Sequence, residues 1–427
     1  MDIYRMIRYL YSVYTLLRSN ENTGNNIIGF IFLLYSVTIR DIRVGSTVCN
    51  VRFSEWLFVR TSNNARDFAP NEETDKSFTN VLKLHLLAGG DINGRRNDIP
   101  GQISLYERGI GATCDNELIR TLRQLGGDLS RQTKPMRKRL EEVYEKGDKL
   151  YIIGCSRGAA SARKFTTELY NEGLLTKDGD KVNEPPIEFL GCFETVSMQL
   201  KKRLGSVLVS RRRKRITKST VLGEDGAVAP NVKMAVHNVA LDDNRMYDGV
   251  PHFPPILMGS EDRVHETWFA GEHGDVGGNF YTKGIPDCSC KYMQEWIESL
   301  DDSLSFIKAE DIKPECLTID DYPDIKIKAS DLSIIPDPTD KIHLNEFQVE
   351  TPSYRPVHVV QDDEVVSEAT VSVHESVLYH MEAMKKKGTP YAINPELKET
   401  NVVIVGPLGK ELEAETKRFS ELLESDY

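Results

Sequence analysis

The chain has no hydrophobic run of membrane-spanning length. Its most apolar window, residues 27–39 (IIGFIFLLYSVTI), stops short of the ~20 residues a spanning helix needs; it reads as a buried helix or strand, with interfacial attachment left open. A signal-peptide pattern is lacking too: Arg5 and Arg8 are present, but the apolar stretch 9–17 is broken by Ser12 and Thr15, and no small-residue cleavage site follows. The expected place is therefore the cytoplasm as synthesised, with peripheral membrane contact or export without a signal peptide as open fates. Seven cysteines, an odd number at irregular spacing, exclude a disulfide framework. Cys288 and Cys290 form a C-x-C pair with no second pair at zinc-ribbon spacing, so reduced thiols are expected there rather than a metal site. Positive charge is in deficit, and the net charge of −11 argues against nucleic acid as a partner of the whole protein. Internal repeats and low-complexity tracts are absent.

What is present is an ordinary globular composition, 40% hydrophobic and 28% charged over 427 residues, long enough for two or three domains or for one α/β domain with insertions. Residues 1–50 read as an N-terminal extension without chemistry. Residues 55–60 (EWLFVR) then predict a strand and 61–69 a polar loop, and 77–87 predict a helix capped by Ser77 or Thr79. A Gly-rich turn at 106–111 and helices at 118–125 and 137–146 follow. Apolar runs at 150–153 and 188–193 predict further strands; 231–241 is strand or helix, and 268–280 is an aromatic strand opening into a Gly-rich loop. Strands alternating with helices predict an α/β fold: a mainly parallel sheet flanked by helices, with insertions and the N-terminal extension. Beyond residue 300, 322–335 alternates in strand fashion, 376–387 is an amphipathic helix, and 402–405 is a short strand before a charged C-terminal helix.

The stretch with most chemistry is 150–165 (LYIIGCSRGAASARKF), read as strand, sharp turn and helix. Its centre, Gly154-Cys155-Ser156-Arg157-Gly158, fits the G-x-S-x-G elbow that exposes a serine hydroxyl on a strained turn. A β-carbon at Gly154 or Gly158 would crowd the approach of strand to helix, and the helix N-terminus behind Ser156 offers N–H groups to a developing oxyanion. Serine needs a base and a carboxylate to orient it. Of nine histidines, His273 is the best placed, in a Gly-rich loop directly after a strand, whereas His237 sits in an apolar periodic segment and reads as structural. Glu194 ends a predicted strand between Ser156 and His273 in the chain and is the candidate acid, with Asp242 and Asp243 as alternatives. Asp275 is expected to brace the His273 loop through backbone N–H bonds. The oxyanion donors would be the N–H of Arg157 and one from the loop near Thr61; the Arg157 side chain serves either a phosphate oxygen or a salt bridge at the helix start.

Two other readings compete. His265, Glu266, Glu272, His273 and Asp275 cluster within eleven residues, but their H-E-x₆-H spacing is not H-E-x-x-H, so neither a metal nor another cofactor is expected. The basic run 201–218, with Val207-Leu208-Val209 inside it, reads as a solvated loop, a nuclear-localisation-like patch or a contact to anionic lipid at a membrane surface.

With these residues assembled, the chain resembles the α/β-hydrolase domain family that includes the first lipase class of type VI secretion effectors. GCSRGA resembles the family's G-F-S-R-G-A elbow, GCFETV its G-x-W-D-T-V strand end, VHNVALDDNR its R-H-A-x-x-x-D-E-x-R segment, and GEHGDVGG its G-x-H-x-D-V-G-G loop. TNVLKL, YERGIG and VHESVLYHM are similar to further family stretches, so the likeness runs in order from about residue 55 to 381. It implies Ser156 as nucleophile, Glu194 as acid and His273 as base; Asp243, His237 and Asp275 are read from their placement as supporting residues. It also implies metal-independent hydrolysis of lipid esters, typically phospholipids. The expected organisation is an extension at 1–50, a catalytic domain at 51–390 with a basic lid-like insertion near 199–230, and a C-terminal strand and charged helix at 391–427. Two departures stand out. Phe58-Val59-Arg60-Thr61-Ser62-Asn63 stands where the family reads F-D-G-T-G-N, and Glu194 replaces Asp. The first leaves a catalytically impaired homologue, keeping a lipid- or protein-binding surface, as the alternative.

Overall fold

The structure is a computed structural model. It describes residues 54–59, 70–93, 97–107, 129–196, 227–243, 246–247, 250–251, 257–259, 261–301, 303–320, 327–343, 355–361, 364–366, 369–391, 394–398, 400–412 and 417–420. The chain divides into Met1–Val51 and Arg52–Tyr427, and every described residue belongs to the second unit. The extension at 1–50, Thr61 and its loop, the turn residues 108–111, the helix expected at 118–125 and the basic run 201–218 lie outside the described residues.

Nine strands form one sheet: β1 (Ser54–Val59), β2 (Gln102–Glu107), β3 (Lys149–Cys155), β4 (Ile187–Phe193), β5 (Val232–Ala240), β6 (Val264–Phe269), β7 (Val371–His374), β8 (Asn401–Val405) and β9 (Lys417–Arg418). Their spatial order is β9-β8-β7-β6-β5-β4-β3-β1-β2, all parallel except the antiparallel β8–β9 edge pair. The chain pairs β2 on one side of β1, then crosses to place β3 on the other and builds outward. That reversal makes the carboxyl ends of β1 and β3 the switch point, where sheets of this kind hold ligands.

The described helices cover both faces. They are α1 (Asn80–Leu87), α2 (Ser130–Glu141), α3 (Arg157–Glu172), α4 (His273–Gly277), α5 (Gly284–Glu298) and α6 (Ser376–Lys386), with one-turn α-helices at Ala329–Leu332 and Pro395–Lys398. Along β3, Tyr151, Ile153 and Cys155 pack with Leu82 and Leu86 of α1 and Met293 of α5. The intervening Leu150 and Ile152 pack with Met136 and Leu140 of α2 and with Ala159, Ala162 and Phe165 of α3. A strand buried on both faces reads as a continuous apolar run, which is why LYII stands out in the sequence. The small side chains of α3 let it lie close against the sheet behind Ser156.

Some expectations shift. Thr79 caps α1, accepting from Leu82 N at 3.5 Å, so Ser77 is not the cap. Helix α2 starts seven residues before the expected 137 and ends at Glu141. The region 322–335, expected as a strand, contains no strand among its described residues. Leu332 is buried and Ile327 and Ile334 pack on the core beside α1, so the alternation reflects a segment laid over the core without a partner strand. At the C-terminus, Lys417–Arg418 pairs with β8 where a charged helix was expected, so the segment 391–427 supplies two strands to the main sheet. Among the described residues, no helix is long and apolar enough to cross a membrane.

Candidate active site

Ser156 sits between the end of β3 and the start of α3 with φ 60° and ψ −125°, a region that non-glycine residues seldom adopt and that costs on the order of 1–3 kcal/mol. The surroundings enforce it. Ser156 N donates to Phe193 O at 2.8 Å, and Ser156 O accepts from Ala160 N at 3.2 Å and Val196 N at 3.4 Å. A β-carbon on Gly154 would lie 2.5 Å from Gly158 O and 2.7 Å from Ala159 Cα, so the crossing tolerates only glycine there. Arg157 opens α3, which turns its N–H toward the helix N-terminus beside Ser156. Burial pushes the Arg157 guanidinium down to about 10.

Glu194 follows β4 with φ 49° and is wholly buried. Its Oε1 accepts from Ala240 N at 2.8 Å and Arg355 Nη1 at 2.7 Å, and its Oε2 lies 3.2 Å from His273 Nδ1. Burial alone would raise this carboxyl, but the Arg355 guanidinium and the His273 ring more than offset it and hold Glu194 below the usual carboxylate range. An ionised carboxylate only accepts, so His273 Nδ1 carries the proton and Nε2 is the basic nitrogen of the neutral ring.

His273 is the first residue of α4, where the sequence predicted a loop. The turn is closed by a capping box: Glu272 accepts from Gly274 N at 3.2 Å, and Asp275 Oδ2 accepts from Glu272 N at 3.0 Å. Asp275 thus does brace the backbone, and it also accepts from His343 N at 3.0 Å and faces His343 Nδ1 at 2.6 Å. His343 Nε2 in turn lies 2.9 Å from Asp75 Oδ2, and its ring stacks on Phe280 at 3.7 Å. Asp242 accepts from Gly271 N at 2.7 Å and from the Tyr391 hydroxyl, so this alternative acid anchors the turn from behind. Burial raises the Asp242 carboxyl to about 7. Asn80, the central residue of TNV, donates to Val276 O and Pro286 O, both at 3.0 Å, and locks α4 and α5 to the start of α1. Gly278, at φ 78°, passes so close that a β-carbon would lie 2.4 Å from Asn80 N.

His237 is structural: it is buried, accepts through Nε2 from Thr195 N at 3.0 Å and faces Glu266 Oε1 through Nδ1 at 2.7 Å. It holds the residue beside Glu194. The H-E-x₆-H group does not converge, because His265 stacks on Trp296, Glu266 serves His237 and Met258 N, and Glu272 caps α4. Glu194, Asp243 and His273 do lie within 4.8 Å of one another, but Arg355 already supplies positive charge to both carboxylates. A cavity of about 160 Å³ beside His265, Thr267 and Ser372 includes none of the site residues. Cys288 and Cys290 are free, buried thiols on α5.

Sequence reasoning missed Arg355 and His343. Neither sits in a motif, and each lies at least 70 residues beyond His273 in the chain. The available signal was indirect: Glu194 and Asp243 beyond strand ends, and Asp275 on the turn after β6, are acids that need cationic partners once buried.

The strand order, the switch point and the strained serine turn define the class as an α/β-hydrolase fold. The model of the type VI secretion phospholipase effector Tle1-like catalytic domain matches residues 64–184 and 180–296, more than half the chain. The protein belongs to this family. No curated protein matches it in sequence. Among solved structures, an uncharacterised protein from Pseudomonas aeruginosa is similar at 18% identity and TM-score 0.36, over 61% of this chain and 46% of that one. The Tle1 effector bound to the VgrG spike of the type VI secretion system is similar at 18% identity and TM-score 0.34, over 56% of each chain. A structure described as a cell surface hydrolase from Lactobacillus plantarum WCFS1 is similar at 15% identity and TM-score 0.30, over 59% of this chain and 94% of that one. The chain spans about half the length of the first two structures.

Proposed function

We propose that the protein is a serine hydrolase of lipid carboxylic esters, a phospholipase, that works through Ser156, His273 and Glu194 and an acyl-enzyme. The observation that carries this reading is the 3.2 Å contact of the buried Glu194 carboxylate with His273 Nδ1, in a fold that holds Ser156 on a strained strand-to-helix turn. His273 Nε2 takes the Ser156 proton as Oγ attacks the ester carbonyl carbon, and Glu194 stabilises the imidazolium through Nδ1–H. The oxyanion of the tetrahedral intermediate meets the N–H of Arg157 and a second N–H from the Thr61 loop. Collapse transfers the proton to the leaving alcohol; water then attacks the acyl-enzyme with His273 again as base. The Arg157 side chain serves the phosphate of a phospholipid, and the basic run 201–218 serves contact with an anionic lipid surface.

The test is covalent labelling by a fluorophosphonate together with hydrolysis of phospholipid vesicles. Labelling at Ser156 is expected in the native protein and in neither Ser156→Ala nor His273→Ala, and fatty-acid release should vanish with it. Val59-Arg60 in place of the family's Asp-Gly favours a second reading, a hydrolase that has lost turnover and binds lipid or protein. Absence of labelling in folded protein would establish that reading over the first.

A further inference from the structure

We infer that Asp243 is a second positioning carboxylate for His273, yoked to Glu194 through Arg355, so that the base is oriented by a divided acid. Its catalytic consequence rests on the serine-hydrolase reading; its geometry does not. Ser156, Glu194, Asp243 and His273 follow β3, β4, β5 and β6, which are neighbours in the sheet in that order. Two carboxylates therefore reach one imidazole from adjacent strand ends. Glu194 Oε2 stands 3.2 Å from Nδ1 and Asp243 Oδ2 stands 4.0 Å from it. The first distance is a hydrogen bond, and a side-chain shift of about 1 Å converts the second into one.

Arg355 holds both acids in place. Its Nη1 donates to Glu194 Oε1 at 2.7 Å and to Ala240 O at 2.9 Å, and its Nη2 donates to Asp243 Oδ2 at 3.0 Å. The three side chains are at most 2% exposed, so water does not replace these partners. Its backbone is held in turn, because Asn394 Nδ2 donates to Arg355 O at 2.7 Å and to Leu241 O at 2.9 Å.

Charge gives the reason for two acids. An orienting carboxylate works by leaving negative charge opposite the imidazolium that forms during the reaction. Glu194 bonded to Arg355 is a neutral pair and leaves none. Adding Asp243 makes two carboxylates against one guanidinium, and the net single negative charge faces His273. The other acids near the turn are committed elsewhere: Asp275 to His343 and Glu272 N, and Asp242 to Tyr391 and Gly271 N. Asp243 is thus the group that restores to the triad the charge Arg355 removes.

The experiment compares Glu194→Gln, Asp243→Asn and the double variant, all nearly isosteric and able to accept from Arg355. Relative to the native enzyme, kcat on a soluble ester is expected to fall about tenfold in Asp243→Asn with KM unchanged, and about 10²-fold in Glu194→Gln. The double variant should approach the loss of about 10⁴-fold that follows removal of a triad acid. Asp243→Glu should recover part of the rate, which a packing role alone would not produce. A native rate in Asp243→Asn, with a double variant no slower than Glu194→Gln, overturns the inference. A readout independent of turnover uses Ser156→Ala protein: the low-field Nδ1–H resonance of His273 should persist with Glu194→Gln and disappear only when both acids are neutralised. Its loss with Glu194→Gln alone also overturns the inference. If Ser156→Ala or His273→Ala still hydrolyses lipid, the serine-hydrolase reading fails instead, and the resonance series still judges Asp243.

Discussion

His343 and Asp275 meet at 2.6 Å, Nδ1 to Oδ1, and this contact secures the turn that carries His273. Because the other ring nitrogen faces Asp75 at 2.9 Å, both imidazole nitrogens face carboxylates, an arrangement that favours the protonated ring. Burial opposes that charge, but the two aspartates prevail and raise His343 above the ordinary histidine value. Asp75, despite its own burial, is lowered to about 2 by the Thr282 N–H and His343.

The first prediction follows from the sign of that shift. A histidine raised on folding contributes stability that is fully present below its unfolded value, about 6.5, and is lost as pH climbs through the folded one. His343→Gln should therefore lower the melting temperature at pH 6 and lower it less at pH 9, with a loss of about 1–3 kcal/mol at the acid end. Thermal melts across pH check it; a penalty that grows with pH would refute the cationic bridge.

Asp242 gives the opposite kind of test. Its burial raises the carboxyl to about 7, so the native state holds a proton that the unfolded chain has released near pH 4, and this group weakens the fold as pH rises from 4 to 7. Asp242→Asn keeps an acceptor for Gly271 N and Tyr391 and removes that cost. It should gain on the order of 2 kcal/mol over the native protein at pH 8 and little at pH 4. Denaturant titrations at the two pH values measure the difference.

Arg355→Met should destabilise by about 3–5 kcal/mol, because it strands two buried carboxylates without their counter-charge. Activity should fall with it. Arg355→Lys, which keeps the charge but not the fork, should recover stability better than rate, as melts and ester kinetics on the same samples would reveal.

Gly154→Ala places a methyl 2.5 Å from a backbone oxygen of α3, and neither β3 nor α3 can recede without unpacking the sheet. A loss of about 3 kcal/mol is expected, with turnover down more than tenfold in whatever remains folded. Unchanged kinetics would mean the elbow is looser than its contacts imply.

The elbow, the strand ends at Glu194 and the His273 turn were legible because each is a local matter. A buried parallel strand must be apolar throughout, a crossing at 2.5 Å must be glycine, and a turn built on a capping box must carry Glu272 and Asp275 at their spacing. Such demands act over a few residues and leave their mark in those residues. Over the described residues 327–335 the expected strand is absent for the converse reason: alternation records which side chains face the core, and it does not say whether a neighbouring strand exists to pair with.

Chain order along a line carried Ser156, Glu194 and His273 as far as candidates. Only the folding of β5 between β4 and β6 brings Asp243 to the same imidazole, and only the return of the chain past residue 340 brings Arg355 and His343 to their acids. The strength of a buried charge depends on what is left beside it when water is removed. That company is assembled from segments far apart in the chain, more than a hundred residues for Arg355 and its two acids, so it belongs to the tertiary structure and has no signature in any one stretch of the sequence.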